Sequence, residues 1–182
     1  MIKEEIREVL SGETLSREAT VTTETREDGS SAPVVDTEAR TVQIALSSEE
    51  PVERAWGVEI LTHEERAVDR TRINRGIPIL MDHDSKDQVG RLLPESVEVG
   101  ADKVLRGLAK FGNSQRAQEI FQDILDGIRN TVSVGYQILK MEKDPEQESR
   151  EGLDTYRASA WMPLEASFVA IPADITVGVG RS

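Results

Sequence analysis

Residues 114–138, SQRAQEIFQDILDGIRNTVSVGYQI, contain the two patterns that decide the fold prediction. Over residues 117–128, apolar residues recur at steps of three and four, as they do on one face of an α-helix. Asn113 or Ser114 is suited to cap the start of this helix. Over residues 131–138, apolar and polar residues alternate, which is typical of a half-buried strand. The stretch therefore predicts one helix that leads directly into a strand.

The rest of the chain reads mainly as strands on either side of this unit. Apolar or alternating runs bounded by turn residues predict further strands at residues 40–46, 56–61, 76–81, 89–99, 103–111 and 164–171. About six or seven strands with one dominant helix predict a mostly β (α+β) fold. We expect a closed or partly open β-barrel with flanking helices.

The first 38 residues differ from the remainder. A short apolar stripe on an otherwise charged helix consists of Ile2, Ile6, Val9 and Leu10. This helix is either marginal by itself or a docking helix for a partner or for the chain's own body. Residues 11–32 are rich in Thr, Glu and Ser with little to bury, so a flexible acidic arm is expected. We therefore divide the chain into an arm, residues 1–38, and a domain, residues 39–182.

The composition excludes several classes of function. The chain has 182 residues, no cysteine and a formal net charge of −12, with 34 acidic and 22 basic residues. This charge would repel nucleic-acid phosphates and anionic membrane surfaces. The absence of cysteine excludes disulfide frameworks, thiolate zinc sites and cysteine nucleophiles. No apolar run approaches the ~20 residues that span a bilayer, and the charged N-terminus lacks a signal-peptide pattern.

Three polar residues lie in or beside predicted strands. His83 directly follows a buried strand, where functional residues often gather. Ser133 lies within the strand after the helix, and Gly135 leaves the same face bare for close approach. Glu165 lies in an otherwise apolar strand, where a carboxylate is costly unless it has a partner. These are the residue types of a nucleophile, a base and an orienting acid, although spacing alone leaves open whether they meet.

Three blocks of sequence resemble those of the prohead (procapsid) maturation proteases of tailed bacteriophages. The first is IPILMDHD at residues 77–84, followed by Val89–Gly90–Arg91. The second is TVSVGY at residues 131–136, after the helix. The third is LEASFVAIPA at residues 164–173. The resemblance rests on the three blocks together and spans roughly residues 40–180.

The resemblance implies a serine endopeptidase in which Ser133 is the nucleophile, His83 the general base and Glu165 the acid that orients His83. It implies an assemblin-like fold and an acyl-enzyme mechanism that uses neither a cofactor nor a metal. Expected substrates are major capsid protein and scaffold segments inside the assembling procapsid, in the bacterial host cytoplasm. The chain is then expected to be the protease part of a protease–major capsid protein fusion. Self-cleavage and an oligomer are left open, and neither nucleic acid nor membrane is an expected partner.

Two other functions remain open at this point. The same fold could act as a catalytically silent scaffolding module that binds capsid subunits through its acidic arm. Metal-dependent hydrolysis could use Asp82, His83, Asp84 and Glu165. Against the metal site, strand alternation continued to Asp84 would turn His83 away from both aspartates.

The supporting residues of the site are less defined. The oxyanion donors could be backbone amides near Ser133, or Arg91 or Arg129. Ser167 shares the face of Glu165 and either lines the site or simply packs within the strand. His63 is the other of only two histidines and is expected to be structural.

Overall fold

The computed structural model describes residues 12–25, 31–144 and 152–170. These residues form one α-helix, α1 (Gln115–Leu125), and two short 3₁₀ helices, η1 (Ile73–Arg75) and η2 (Pro94–Ser96). The strands are β1 (Leu15–Val21), β2 (Thr23–Thr25), β3 (Ser31–Pro33), β4 (Val35–Asp36), β5 (Thr41–Ser47), β6 (Val52–Arg54), β7 (Gly57–Leu61), β8 (Pro78–Met81), β9 (Asp84–Leu92), β10 (Glu98–Val99), β11 (Leu105–Phe111), β12 (Thr131–Lys143) and β13 (Thr155–Phe168). The mostly β class is thereby confirmed. None of the helices in this described part has the length and apolar character needed to cross a bilayer.

Eleven of these strands belong to one curled sheet. Its hydrogen-bonded order is β10-β11-β9-β8-β13-β12-β1-β5-β4, with β7 beside β13, β6 beside β7, and β11 paired to β5 as well. Among the strand pairs of this sheet in the described ranges, only β7–β13 and β8–β13 are parallel. The predicted barrel is therefore confirmed only as far as a curled sheet, and its likeness to assemblin stays a prediction.

The helix and the strand that follows it form as their patterns predict. Ser114 caps α1, because its hydroxyl accepts a hydrogen bond from the Ala117 amide over 3.2 Å. The apolar side of α1 packs against β9 and β11, which places that side of the helix in the core. In β12, the alternating apolar residues Val132, Val134 and Tyr136 are fully buried. Burying such side chains stabilises the fold by roughly 1.5–3 kcal/mol each.

The expected flexible arm is wrong over β1. This strand lies inside the sheet, antiparallel to both β12 and β5. Its inward positions are Leu15, Arg17, Ala19 and Val21, of which the last three are buried. The pattern was missed because Arg17 interrupts an otherwise apolar alternation at an inward position. The predicted helix at Ile2–Leu10 lies outside the described residues.

Arg17 is accommodated by a buried polar cluster. Its guanidinium lies 3.5 Å from the carboxylate of Glu59, which is 0% exposed, and donates to the Ser48 carbonyl over 2.8 Å. Arg54 lies 3.5 Å from the same Glu59 oxygen. Burial raises the pKa of Tyr136, so its hydroxyl stays protonated and donates to Glu59. The cluster joins β1, β6, β7 and β12 through ionic contacts in the sheet interior.

Candidate active site

His83 lies at the tip of a tight turn between β8 and β9. The strand ends at Met81, whose register partner is Asp84, so Asp82 and His83 alone form the turn. Both have positive φ values, 48° and 59°, as a two-residue type I′ hairpin requires. Aspartate and histidine tolerate this region better than most residues other than glycine. Strand alternation therefore stops at Met81, and the condition under which His83 would turn away from both aspartates is not met.

Contacts from β13 and the residues after it hold this turn in place. The Asp82 amide donates to the Phe168 carbonyl over 3.0 Å, and the His83 amide donates to the Ser167 hydroxyl over 3.1 Å. The Asp82 carboxylate accepts from the Ala170 amide over 3.3 Å. A left-handed conformation at two residues costs free energy, which these hydrogen bonds offset. The position of the His83 side chain is thus set by β13.

The His83 ring is hydrogen-bonded to Glu165. Its Nδ1 lies 2.7 Å from Glu165 Oε1, and the two side chains are 39% and 14% exposed. The Ser167 hydroxyl donates to the other carboxylate oxygen, Oε2, over 2.7 Å. Because an ionised carboxylate only accepts hydrogen bonds, Nδ1 carries the ring proton in this pair. The neutral ring then presents Nε2 as the acceptor that a general base needs.

Gly135 makes room for the Glu165 carboxylate. The two residues are register partners on β12 and β13. A Cβ added at Gly135 would overlap Glu165 Oε1 and lie 3.1 Å from Cδ. The bare face predicted at this glycine is therefore occupied by the carboxylate of the proposed orienting acid. Any larger residue at this position would displace that carboxylate.

Ser133 lies on the same outer face, beside this group. Its register partners are Ser167 on β13 and Glu18 on β1, and residues directly opposite in a sheet point to the same side. Ser167 in turn is the partner of Leu80 on β8. The fold thus brings Ser133 to the strand position next to the residue that contacts both His83 and Glu165. Ser133 is 3% exposed, and no hydrogen bond joins it to His83 within the described ranges.

A pocket of about 480 Å³ opens beside the His83–Glu165 pair. Its volume lies in the range of sites that bind small ligands. Pro78, Leu80 and Leu164 supply apolar lining, and Arg72 stands at its wall. The participation of Arg72 was not predicted, because its polar surroundings in sequence resemble those of any surface loop. The His83–Glu165 pair is thus accessible from this pocket.

The residues of the metal hypothesis do not form a ligand set. No group of three or more His, Asp or Glu side chains that could hold a metal occurs among residues 12–25, 31–144 and 152–170. The Asp82 carboxylate faces the Ala170 amide, and Asp84 accepts from the Lys86 amide over 2.8 Å. The tight turn thus directs the two aspartates to backbone amides rather than to the Glu165 carboxylate.

The two arginines suggested as oxyanion donors, Arg91 and Arg129, lie in different surroundings. Arg129 donates to the Asp123 carboxylate of α1 over 2.9 Å. Arg91 is exposed on β9, across from Pro78. Neither residue contacts Ser133 through a hydrogen bond in the part of the chain that the structure describes. Their proposed role as oxyanion donors therefore has no support from a contact with Ser133.

His63 occupies a closed site in the core, as expected for a structural histidine. Its Nδ1 lies 2.8 Å from the Leu61 carbonyl, and its Nε2 lies 2.8 Å from the Ser47 hydroxyl. Since a carbonyl only accepts, Nδ1 carries the proton and Ser47 donates to Nε2. The ring also contacts Trp161, at 5.3 Å between ring centroids. Burial lowers the pKa of His63, which favours the neutral ring.

The sequence also matches a known family model. The model is described as caudovirus prohead serine protease and covers residues 52–179, which include His83, Ser133 and Glu165. The chain belongs to this family. The resemblance found in the three blocks is thereby confirmed, and membership in the prohead serine protease family places the chain among serine peptidases in general.

One relative of the chain is a phage protein. It is named major capsid protein, comes from Halomonas phage phiHAP-1, and is 39% identical over 143 residues. The match covers 76% of this chain and 23% of the relative, so the chain spans less than a quarter of that protein's length. No solved structure matches the chain. The prohead protease family and the capsid protein relative both connect the chain with phage capsid maturation.

Proposed function

We propose that the chain is a serine endopeptidase whose catalytic residues are Ser133, His83 and Glu165. The observation that carries the proposal is the 2.7 Å hydrogen bond between His83 Nδ1 and Glu165 Oε1. This bond leaves Nε2 of the ring as the acceptor for a serine hydroxyl, as in Ser-His-acid triads. The register of β12 with β13 supports Ser133 as that serine, because it lies across from Ser167.

In the proposed mechanism, Ser133 attacks the carbonyl carbon of the scissile peptide bond. His83 Nε2 accepts the hydroxyl proton and then donates it to the leaving amine, which produces an acyl-enzyme. Water, activated by the same nitrogen, then releases the acid product and regenerates Ser133. Glu165 holds the tautomer and orientation of His83 and stabilises the imidazolium that forms. Contact between Ser133 and His83 is expected to tighten when substrate binds.

We further propose that the substrates are capsid-related segments cleaved inside the procapsid. The family membership and the capsid protein relative support this, and they also support a protease–capsid protein fusion. Cleavage of scaffold segments and self-cleavage are consistent with the same chemistry. An assemblin-like barrel and host cytoplasm as the surrounding compartment belong to the same proposal. Residues 39–182 remain the proposed protease domain, with β1 added to its sheet.

The test compares Ser133→Ala with the native chain, each co-expressed with a capsid-protein precursor. Loss of the nucleophile is expected to lower processing by several orders of magnitude. Ser47→Ala is the matched control, because Ser47 is another buried strand serine that contacts a histidine outside the site. Processing is followed by gel electrophoresis and mass spectrometry of the products. Unchanged processing by Ser133→Ala would overturn the assignment and favour the scaffolding function.

A second measurement does not depend on knowing the substrate. A fluorophosphonate reacts covalently with activated serine hydroxyls, so the native chain should be labelled at Ser133. His83→Ala should abolish the labelling, because it removes the proposed base that accepts the serine proton. Labelling at another serine, or equal labelling of both proteins, would contradict the proposed triad.

A further inference from the structure

A row of register partners runs across the outer face of the sheet through the Glu165 position. In order across the strands, this row consists of Gly135, Glu165, Pro78, Arg91 and Lys110. Pro78 precedes Ile79, the partner of Ala166, and therefore lies beside Glu165. Only β8 separates Arg91 from Glu165, which puts their backbones roughly 10 Å apart. A bound peptide of a few residues could therefore contact both Arg91 and the proposed catalytic pair.

Two more arginines border the same region. Arg72 and Arg75 lie at either end of η1, and side chains three residues apart in a 3₁₀ helix are aligned. Arg72 lines the pocket that holds His83 and Glu165. The side chain of Arg91 crosses Gly76, where an added Cβ would lie 3.6 Å from Arg91 Cδ. Arg91 therefore lies next to the end of η1. We call Arg72, Arg75 and Arg91 the basic rim.

The three arginines of the basic rim are exposed and have no carboxylate partner in the described residues. This differs from Arg106 and Arg116, which form ion pairs with Asp102 and Asp87. Asp69, three residues before Arg72, accepts a hydrogen bond from the Thr71 amide over 2.7 Å. In a chain of net charge −12, a group of unpaired arginines is a local basic surface.

We propose that the basic rim binds an acidic segment of the peptide substrate and holds it against Pro78 and Leu80. This inference rests on the proposed protease function, because it names the substrate class of the same site. Guanidinium groups suit carboxylates, with which they form charge-assisted, bidentate hydrogen bonds. Pro78 and Leu80 line the pocket beside the rim and supply apolar contact for neighbouring side chains. The preferred substrate is thus a peptide in which acidic and apolar residues alternate near the cleavage site.

The experiment measures peptide binding rather than cleavage. The full chain carrying Ser133→Ala is titrated into a fluorescein-labelled peptide of about twelve residues in which glutamate and leucine alternate. Fluorescence anisotropy reports Kd. Adding Arg72→Glu or Arg91→Glu should each raise Kd by about tenfold, because each replaces an attraction with a repulsion. The matched control is Arg106→Glu, the same charge change at a paired arginine in the β10–β11 hairpin.

Two further readouts decide the outcome. Raising NaCl from about 50 mM to about 500 mM should weaken the binding of the acidic peptide, since ionic contacts at the surface are screened. A peptide with lysine in place of glutamate should bind the native rim poorly and the double variant Arg72→Glu, Arg91→Glu better. Equal Kd values for the rim variants and Arg106→Glu would overturn the inference. Because Kd for peptide binding is measured rather than cleavage, this result is independent of whether the triad itself is correct.

Discussion

The carboxylate of Glu165 lies directly over the α-carbon of Gly135, its register partner on the neighbouring strand. Any other residue type would displace this carboxylate, because a Cβ would lie 3.1 Å from Glu165 Cδ and still closer to Oε1. The backbone of Gly135 itself does not need positive φ. The glycine is therefore required by the carboxylate of the proposed triad and not by the strand.

Gly135→Ala is expected to keep the fold and lose activity. The flexible end of Glu165 can move aside at modest cost, but its bond to His83 is then broken or lengthened. A displacement of about 1 Å in a catalytic group lowers kcat by roughly a hundredfold. Steady-state kinetics and thermal unfolding are measured side by side. Gly112→Ala is the control, because an added Cβ there meets neighbours only at 3.6 Å or beyond. Full activity in Gly135→Ala would show that the carboxylate position is unimportant.

Ser167→Ala removes the hydroxyl that links the His83 turn to the Glu165 carboxylate. We expect kcat to fall by about tenfold or more, and stability by about 0.5–1.5 kcal/mol from the lost hydrogen bond to the His83 amide. The Nδ1 proton of His83 should become harder to observe by NMR, since its exchange with water speeds up. Ser167→Thr keeps a hydroxyl and should restore part of kcat and part of the NMR signal of the His83 Nδ1 proton. If Ser167→Ala retains kcat and the NMR signal, the residue only packs within the strand.

Arg17→Ala tests the place of β1 in the sheet. The variant leaves the Glu59 carboxylate, which is 0% exposed, without one of its cationic partners. Breaking a buried ion pair in this way costs about 3–5 kcal/mol of unfolding free energy. The control is Arg116→Ala, which removes an ion pair at the surface and should cost about 1 kcal/mol or less. Urea unfolding gives both values. Equal values for the two variants would mean that β1 contributes little to the fold.

Because His63 is buried, we expect the free energy of unfolding to depend on pH. Burial lowers the pKa of His63 in the folded chain, so the unfolded chain binds more protons once the pH falls below the ordinary histidine value of about 6.5. The stability from this site is therefore present above that pH and is lost as the pH falls toward the lowered pKa. Urea midpoints are compared at about pH 7.5 and about pH 5.5.

Histidine variants separate this effect from the titration of carboxylates. His63→Gln should show a smaller loss of stability between the two pH values than the native chain. The control is His83→Gln, at the only other histidine of the sequence, whose side chain is 39% exposed. A native-like pH dependence in His63→Gln, or its loss in His83→Gln, would contradict the assignment.

The fold was predictable from the sequence where the apolar residues followed a clear helical or strand periodicity. Helix α1 and strand β12 followed from periodicity alone, and the cap at Ser114 followed from its residue type. Strand β1 was not predictable, because its inward Arg17 is stabilised by the Ser48 carbonyl and by Glu59, which is 42 residues away in the chain. The length of β13 was underestimated for a similar reason: its first half pairs in parallel with β7, a partner that no local pattern reveals.

For the site, the sequence by itself determined the three residue types and, through the family blocks, their order along the chain. What only the tertiary structure decided is their relative placement. The left-handed turn at Asp82 and His83 depends on bonds to β13, and the Glu165 carboxylate depends on the space above Gly135. Hydrogen bonds and close contacts between distant strands have no local signature, because they depend on register rather than on neighbouring residues. For the same reason the basic rim was not predictable, because Arg91 comes near the end of η1 only when β8 and β9 pair.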